Sequence, residues 1–509
     1  MQHNCHDKKK LHRFFRVCLF PLLLMLAVQP PLYAQYGNLP DLGDTARGEL
    51  SPKMEYKLGT EIMQRVKADP DYVKDGLLIE YLNNLGSVLV SASPGVRGEM
   101  GYDFFFFAVR DPTLNAFALP GGFIGVHTGL LLATQSESEL ASVLAHEIGH
   151  VSQRHIARMI GQQKQDMLVP IAAILLGALV GVASKSSDAA GAIVTGGQGW
   201  AIQRQLNFSR EAESEADRIG FQILRDAGFD TNGMVQFFGR LQRASRAYAE
   251  NPSLSYLRTH PLTTDRIADI QGRVRSEHYR QHADNPDFSF IRIRARLLQD
   301  NQPSALDSVI PHFSEQIQRG DRVQAAAGHY GMALVAMQKG EWDKANRALN
   351  QARKTLGEKA VTNSLVLAST AIEIKFGLGR KAEALQDTSA AIQRFPASRV
   401  LSNQYARALL ESGKHGKAAE YLRKQAIMYR ADPAIHNLLA RVYGAQNKIA
   451  MMHMELAEAY HLSGGLSAAL EQLRLARAAP DATFYDNSII DAREREWRRE
   501  RVEEMKNTK

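Results

Sequence analysis

Between Ser136 and Ile160 the chain carries a long run of helical apolar periodicity, and inside it stand His146, Glu147, Ile148, Gly149 and His150. Residues four apart on a helix lie about 40° apart around the axis and about 6 Å along it, so His146 and His150 can offer imidazole nitrogens to one ion. Glu147 follows the first of them directly, beside an open coordination position, where a carboxylate can take a proton from water and later return it. A helix that buries such groups obliges the rest of the chain to supply, shield and feed them. On its own the pattern also fits a helix surface with two unrelated histidines, so further ligands have to be found.

They lie on the helix expected from Arg204 to Leu224, where Glu213 and Asp217 are one turn apart and share a face. That spacing suits a metal-ligating carboxylate and a second one that orients a ligand histidine. Glu211 and Glu215 form a separate stripe and read as solvated. Two histidines on one helix and a glutamate on a second form the His, His, Glu arrangement of catalytic zinc sites, with one ion per chain and water in the fourth position. The metzincin variant is excluded, because it needs Gly and His where this chain has Gln153 and Ile156. His127 and His155 read as structural, His127 after a strand and His155 off the metal stripe.

Ahead of this helix, Pro52 to Ala68 and Leu77 to Ser91 have helical periodicity, and Tyr102 to Val109, with its phenylalanines Phe104 to Phe107, reads as a buried strand. Asn115 to Leu130 reads as turn, strand, turn. Asn115, Ala116 and Phe117 are then candidates for an edge strand that pairs with an extended peptide through main-chain hydrogen bonds, with an internal hairpin as the alternative. Ser136 with Glu139 three residues on predicts a capping box at the start of the metal helix.

After about Glu277 the composition shifts to Ala, Leu, Gln, Arg and Lys. Gly340, Trp342, Ala345, Leu349, Ala352 align with Gly379, Lys381, Ala384, Thr388, Ala391 and with Gly413, His415, Ala418, Leu422, the turn glycines being 39 and then 34 residues apart. Asn447 falls 34 residues further on, and Gly464, Leu466, Ala469, Leu473, Ala476 follow. This is tetratricopeptide spacing, with small residues where paired helices touch, and it predicts a curved solenoid that binds proteins or peptides. The mixed-charge tail from Asp491 reads as a capping helix with a solvated face.

Residues 1–34 combine a basic region, an apolar run from Val17 to Val28 and a small residue at Ala34, the pattern of a cleaved secretory signal. Its removal takes away five Lys/Arg and one Asp, lowering the formal net charge from +8 to +4, and takes both cysteines, Cys5 and Cys18. The mature chain then has no disulfides, and its metal ligands must be His and carboxylates. It has no Lys/Arg cluster with interleaved aromatics, so no nucleic-acid partner is expected. An apolar insertion at about 167–199, rich in Gly and Ala, reads as a hairpin on the protease domain open to peripheral membrane contact, with a true span as the alternative.

Asn115 to Gly122 with its NAF and GG, HEIGH at His146 to His150, and the SRxxExxAD pattern from Ser209 to Asp217 together resemble the gluzincin peptidase family that includes the prenyl-protein protease and the HtpX-type membrane enzymes. The signal, the Thr259, His260, Pro261 phrase with Arg266, and the repeat half look like that family's periplasmic members acting on outer-membrane β-barrel proteins. The resemblance implies His146, His150 and Glu213 as Zn2+ ligands, Glu147 as general base, Asp217 behind the ligands, and His260 with Arg266 as a post-site pair. Chemistry alone leaves His260 two roles, ligating zinc at rest or stabilising the tetrahedral oxyanion.

The expected architecture is α+β, mainly α: an HExxH zinc-peptidase domain with a small sheet at 35–280, an all-α tetratricopeptide solenoid at 281–485, and a charged helix at 486–509. The resemblance further implies a periplasmic endopeptidase with unfolded or misassembled outer-membrane proteins as clients and the outer-membrane barrel-assembly machinery as partner. A repeat scaffold or chaperone with minor proteolysis is the reading from another class.

Overall fold

A computed structural model describes residues 50–97, 101, 103–161, 209–247, 256–299 and 305–507, all within one compact unit, Thr45–Lys509. The expected signal at 1–34, the leader after it and the apolar insertion at 167–199 lie outside the described residues. Among these, no helix is long and apolar enough to cross a membrane.

Two helices come first, α1 (Pro52–Ala68) and α2 (Gly76–Ala92), each started by a side chain that accepts a backbone N–H of the first turn, Ser51 for α1 and Asp75 for α2. A three-stranded sheet follows, β1 (Phe105–Val109), β2 (Ala116–Leu119) and β3 (Phe123–His127), in the order β1, β3, β2. The β1–β3 pair is parallel and the β2–β3 pair antiparallel, so β2 is an edge. The expected strand at 102–109 forms only from Phe105.

A short helix, α3 (Thr128–Ala133), leads into α4 (Glu137–Ser152), the metal helix, whose residues 137–151 are all buried. The Ser136 hydroxyl accepts the Glu139 N–H at 3.1 Å as expected, but the Glu139 carboxylate reaches the Gln135 N–H at 2.8 Å instead of that of Ser136. The single run predicted to Ile160 is broken. Arg154 has φ 52°, and a second helix, α5 (His155–Gly161), restarts in a new direction. The left-handed backbone of Arg154 is held by buried bonds from its guanidinium to Glu55 at 3.0 Å and to the Leu50 carbonyl at 2.6 Å.

The carboxylate helix α6 (Arg210–Asp226) packs along α4, and α7 (Asn232–Ala247), a single turn α8 (Tyr256–Thr259) and α9 (Thr264–Ser276) complete this half. A bridging helix, α10 (Pro286–Leu298), touches α2 and α3 on one side and the next half on the other. Beyond it come α11 (Ala305–Ser308), α12 (Ile310–Arg319), α13 (Arg322–Gln338), α14 (Trp342–Leu356), α15 (Glu358–Thr362), α16 (Leu365–Gly377), α17 (Lys381–Arg394), α18 (Arg399–Glu411), α19 (His415–Met428), α20 (Pro433–Ala445), α21 (Ile449–Leu462), α22 (Leu466–Ala478) and α23 (Phe484–Asn507).

These helices stack on their sequence neighbours as a solenoid. Gly340, Gly379, Gly413, Asn447 and Gly464 each occupy a helix–helix turn at positive φ, where a residue without a Cβ, or an asparagine, costs least. The aligned small and branched positions, among them Ala345, Leu349, Ala384, Thr388, Ala418, Leu422, Ala469 and Leu473, are buried where helices meet. Gly464 follows Asn447 by half a unit, so α21 packs on both α20 and α22. In α23, Ile490 and Trp497 close the last apolar cluster, with Trp497 stacked on His461 at 4.5 Å.

Polar bolts tie the two halves. Arg294 on α10 grips Asp75 with three bonds of 2.5–2.9 Å and donates to the Tyr330 hydroxyl at 2.8 Å. The Glu80 carboxylate accepts the Val400 N–H at 2.9 Å. Asp287, buried, accepts from the Ser364 hydroxyl and from the Val366 N–H at 3.3 Å. Burial raises its pKa to about 6, against the pull of those hydrogen bonds. A carboxyl raised above its unfolded value of 3.8 favours the protonated folded state, so its contribution to stability is full below that value and is lost as pH rises through about 6. Asp287→Asn therefore should stabilise the chain relative to wild type at pH 7.5 and lose that advantage at pH 4.5, by up to about 3 kcal/mol. Denaturant titrations at the two pH values measure this, and a mutant-to-wild-type difference independent of pH would refute it.

Candidate active site

The site is built where α4 and α6 come closer than side chains normally permit. A Cβ placed on Gly149 would stand 2.9 Å from the Ala216 carbonyl oxygen, and one on Gly220 would stand 2.9 Å from the Cα of His146. Both glycines let backbone meet backbone, and the consequence is that Glu213 and Asp217, one turn apart on α6, arrive at the two histidines of α4.

His146 Nε2 and His150 Nε2 are 3.0 Å apart, and Glu213 places one oxygen 3.5 Å from the first and the other 3.3 Å from the second. His260, just past α8, brings Nδ1 to 3.0 Å from Glu213 Oε1 and 3.4 Å from His146 Nε2. One donor atom from each of these four buried residues lies within 4.8 Å of all the others. Four donors on a tetrahedron with arms of about 2.0–2.1 Å stand about 3.3 Å apart, so these separations fit a single metal ion.

The protonation chemistry agrees. Burial pushes His150 well below the usual imidazole range, the neutral ligand form, and Glu213 is held well below the carboxylate range because the surrounding histidines outweigh burial. Burial would also lower His146, but Asp217 and Glu213 override it and raise it to about 10. A positive charge is thus what this donor set favours at its centre.

Around the ligands stands a supporting ring. Asp217 Oδ1 is 2.9 Å from His146 Nδ1, and Arg266 binds Asp217 through two bonds of 2.6 and 2.7 Å while placing Nη1 2.6 Å from Glu213 Oε2. Arg266 also donates to the Pro261 carbonyl at 2.6 Å, which ties the segment bearing His260 to the carboxylate helix. Tyr256 stacks on His260 at 4.5 Å.

Glu147 is fully buried, and neither carboxylate oxygen has a hydrogen-bond partner of good geometry. The His260 imidazole stands beside it, Nε2 3.5 Å from Oε1. Burial raises its pKa, moderated by His260 and His146.

The edge strand runs beside this carboxylate, the Ala118 amide being among the groups that act on it. The Asn115 carbonyl accepts the His127 N–H at 2.9 Å, so by the alternation of an antiparallel ladder Asn115 and Phe117 turn their backbone groups toward β3. The backbone groups of Ala116 and Ala118 turn to the other side, where both residues are buried. At the next outward position the Leu114 carbonyl accepts the Tyr256 N–H at 3.0 Å. His127 is bonded to Thr113 Oγ1 at 2.9 Å, away from the metal cluster, and braces the preceding loop.

Two residues depart from the expectation. Glu215 is not on a solvated stripe: it bonds His155 Nε2 at 3.0 Å and Arg158 at 2.7 Å. His155 in turn sets Nδ1 2.8 Å from His150 Nδ1, the ring nitrogen that faces away from the cluster. On an unbroken helix the five-residue step from His150 would point His155 about 140° away. The reversal at Arg154 brings it back, and no Gly or Pro marks that reversal in the sequence.

Peptidase family M48 matches residues 81–274. The chain is 31% identical over 469 residues to the beta-barrel assembly-enhancing protease of Escherichia coli K12, covering 92% of each chain. It is 30% identical to the Yersinia pestis protein of that name, over 91% of this chain and 92% of the other. A Vibrio cholerae relative is 37% identical over 331 residues, 65% of either chain.

An outer partner that fixes the ring and tautomer of a ligand histidine commonly contributes 10- to 100-fold in metal affinity, which is about the loss expected for His155→Ala. Competition with a chromogenic chelator should register it while the far-ultraviolet circular dichroism is unchanged. Wild-type affinity in His155→Ala would show that the contact only packs.

Proposed function

The chain belongs to peptidase family M48, among the β-barrel assembly-enhancing proteases, and on that premise we propose that it is a periplasmic zinc endopeptidase acting on unfolded or misassembled outer-membrane β-barrel proteins. The observation that carries the chemistry is the buried His146, His150, Glu213 and His260 cluster with the unsatisfied carboxylate of Glu147 beside it. His146, His150 and Glu213 are the residues that would hold the ion. Zinc bound there supplies Lewis acidity toward the scissile carbonyl and acidifies a water.

Glu147 takes the proton of the attacking water and delivers it to the leaving amide nitrogen. Burial raises the proton affinity of this carboxyl, which favours its taking up the proton. The outer side of β2 at Ala116 to Ala118 is the segment beside which a substrate backbone would lie extended, with little demand on side-chain identity, which suits clients recognised by their unfolded state. Asp217 keeps His146 in its ligating orientation, and Arg266 fixes Asp217 and Glu213 together.

His260, whose Nδ1 stands 3.0 Å from Glu213 Oε1, would be a further ligand in the resting enzyme and, when not ligating, a donor to the developing oxyanion. The helix–turn units from Gly340 to Gly464 form a tetratricopeptide solenoid that recruits clients or docks on the barrel-assembly machinery. The 167–199 insertion contributes peripheral membrane contact, and residues 1–34 direct export.

Glu147→Gln should reduce cleavage of an unfolded β-barrel protein by at least about 1000-fold while retaining stoichiometric zinc, measured by gel assay and metal analysis. Retained cleavage in this variant would remove Glu147 from the proton transfer, and retained client quality control without cleavage would favour the scaffold role. His260→Ala should raise activity on short peptides while weakening zinc retention. A rate equal to wild type would remove His260 from both roles.

A further inference from the structure

A second cluster of unusual electrostatics lies apart from the metal ligands. Between the bridging helix α10 and the pair α12 and α13 is a part-open cavity of about 300 Å³, lined among others by Arg292, Arg296, His312, Gln316 and Arg319. Arg292 and Arg296 are one turn apart on α10, so both guanidinium groups enter from the same face.

What distinguishes them is the lack of compensation. Two other arginines of this half with buried side chains are forked onto carboxylates, Arg266 on Asp217 and Arg294 on Asp75. Arg292 instead donates one Nη2 bond to the Leu132 carbonyl at 3.0 Å and lies over the Phe288 ring at 5.6 Å, while its Nε is buried without an acceptor. The carboxylates close enough to act on it, Glu139 and Asp284, are engaged elsewhere: Glu139 with Arg240 at 2.5 Å, and Asp284 with the Glu137 N–H at 3.1 Å.

Arg296 has no ion pair among the described residues. Burial and mutual repulsion lower the pKa of Arg292, burial lowers that of Arg296, and burial together with Arg296 and Arg292 lowers that of His312. The one carboxylate at the rim, Glu315, is exposed and bound to Arg319 at 3.2 Å. Gln316 adds a buried Oε1 without a partner, a side-chain amide that can turn its NH2 toward an acceptor. Two partly desolvated guanidinium groups, an imidazole and an amide converging without a counter-ion form an arrangement that a dianionic oxygen ligand would neutralise.

We propose that this cavity binds a phosphate group, with Arg292 and Arg296 forking its oxygens and His312 and Gln316 completing the hydrogen bonds. The cavity volume leaves room for a short substituent, so the phosphate can belong to a small soluble molecule or to a lipid headgroup. The Arg292 bond to Leu132 links an occupied cavity to α3, which is separated from the metal helix by three residues. The site needs neither zinc nor catalysis to be observed.

The test uses the full chain, purified in phosphate-free buffer, with thermal unfolding followed as inorganic phosphate replaces chloride at constant ionic strength. A saturable rise in Tm is expected, weakened at least ten-fold in apparent affinity by Arg292→Gln with Arg296→Gln and unchanged by the exposed control Arg474→Gln. Should the double variant fail to fold, Arg296→Gln alone carries the test, since that side chain makes no bond among the described residues. No saturable rise, or the same rise in the arginine variants, overturns the proposal unless the lipid arm below is positive.

Flotation with phosphatidylglycerol and phosphatidylcholine vesicles separates the sources. Arginine-dependent flotation with the anionic vesicles alone assigns the phosphate to a lipid headgroup. Phosphate binding without flotation assigns it to a soluble ligand. Absence of both, or flotation that persists in the variants without phosphate binding, counts against the site.

Discussion

The close passage of α4 against α6 is the constraint on which the rest depends. Gly149 against Ala216 and Gly220 against His146 leave no room for even a methyl group. A larger residue at either position would hold Glu213 and Asp217 away from the two histidines and leave buried carboxylates and imidazoles facing nothing. Uncompensated burial of such groups costs several kcal/mol each, so the glycines determine stability as well as chemistry. Arg266 completes the arrangement by returning positive charge to a pair of buried acids.

Much of this was legible in the chain. His146, Glu147 and His150 announce themselves by spacing, and Glu213 with Asp217 by a shared helix face, because both depend only on local periodicity. The turn positions Gly340, Gly379, Gly413 and Asn447 were legible for a related reason: a left-handed residue ends a helix wherever it falls, and the buried alanines repeat around it. The contribution of His155 and Glu215 was not legible. It depends on a reversal at Arg154 that is enforced from about a hundred positions away, by Glu55 and the Leu50 carbonyl, and local sequence carries no trace of such a bond. For the edge strand, composition located the segment, whereas the ladder register decided which backbone groups face outward.

The electrostatics of α10 divide along its length in the same long-range manner. Arg294 points into a complete set of partners, while Arg292 and Arg296 on the opposite face have none of comparable strength. In sequence the three are one unremarked alternation of Arg with apolar residues. Their different fates come from which element lies opposite: α2 with its Asp75 on one side, the cavity beneath α12 on the other.

The shift in composition after Glu277 marks a change of architecture but not a break in packing. A single apolar cluster runs from Leu82 and Ile124 through Phe288, Phe290 and Ile291 of α10 to Leu349 and Ile374 in the solenoid. An element shared in this way belongs to both halves at once. Unfolding of the first solenoid helices therefore uncovers the apolar side of α10 and, through it, the floor beneath the metal helix, so the peptidase half and the start of the solenoid form one cooperative unit. The later helices, whose apolar clusters are separate, can open without that penalty.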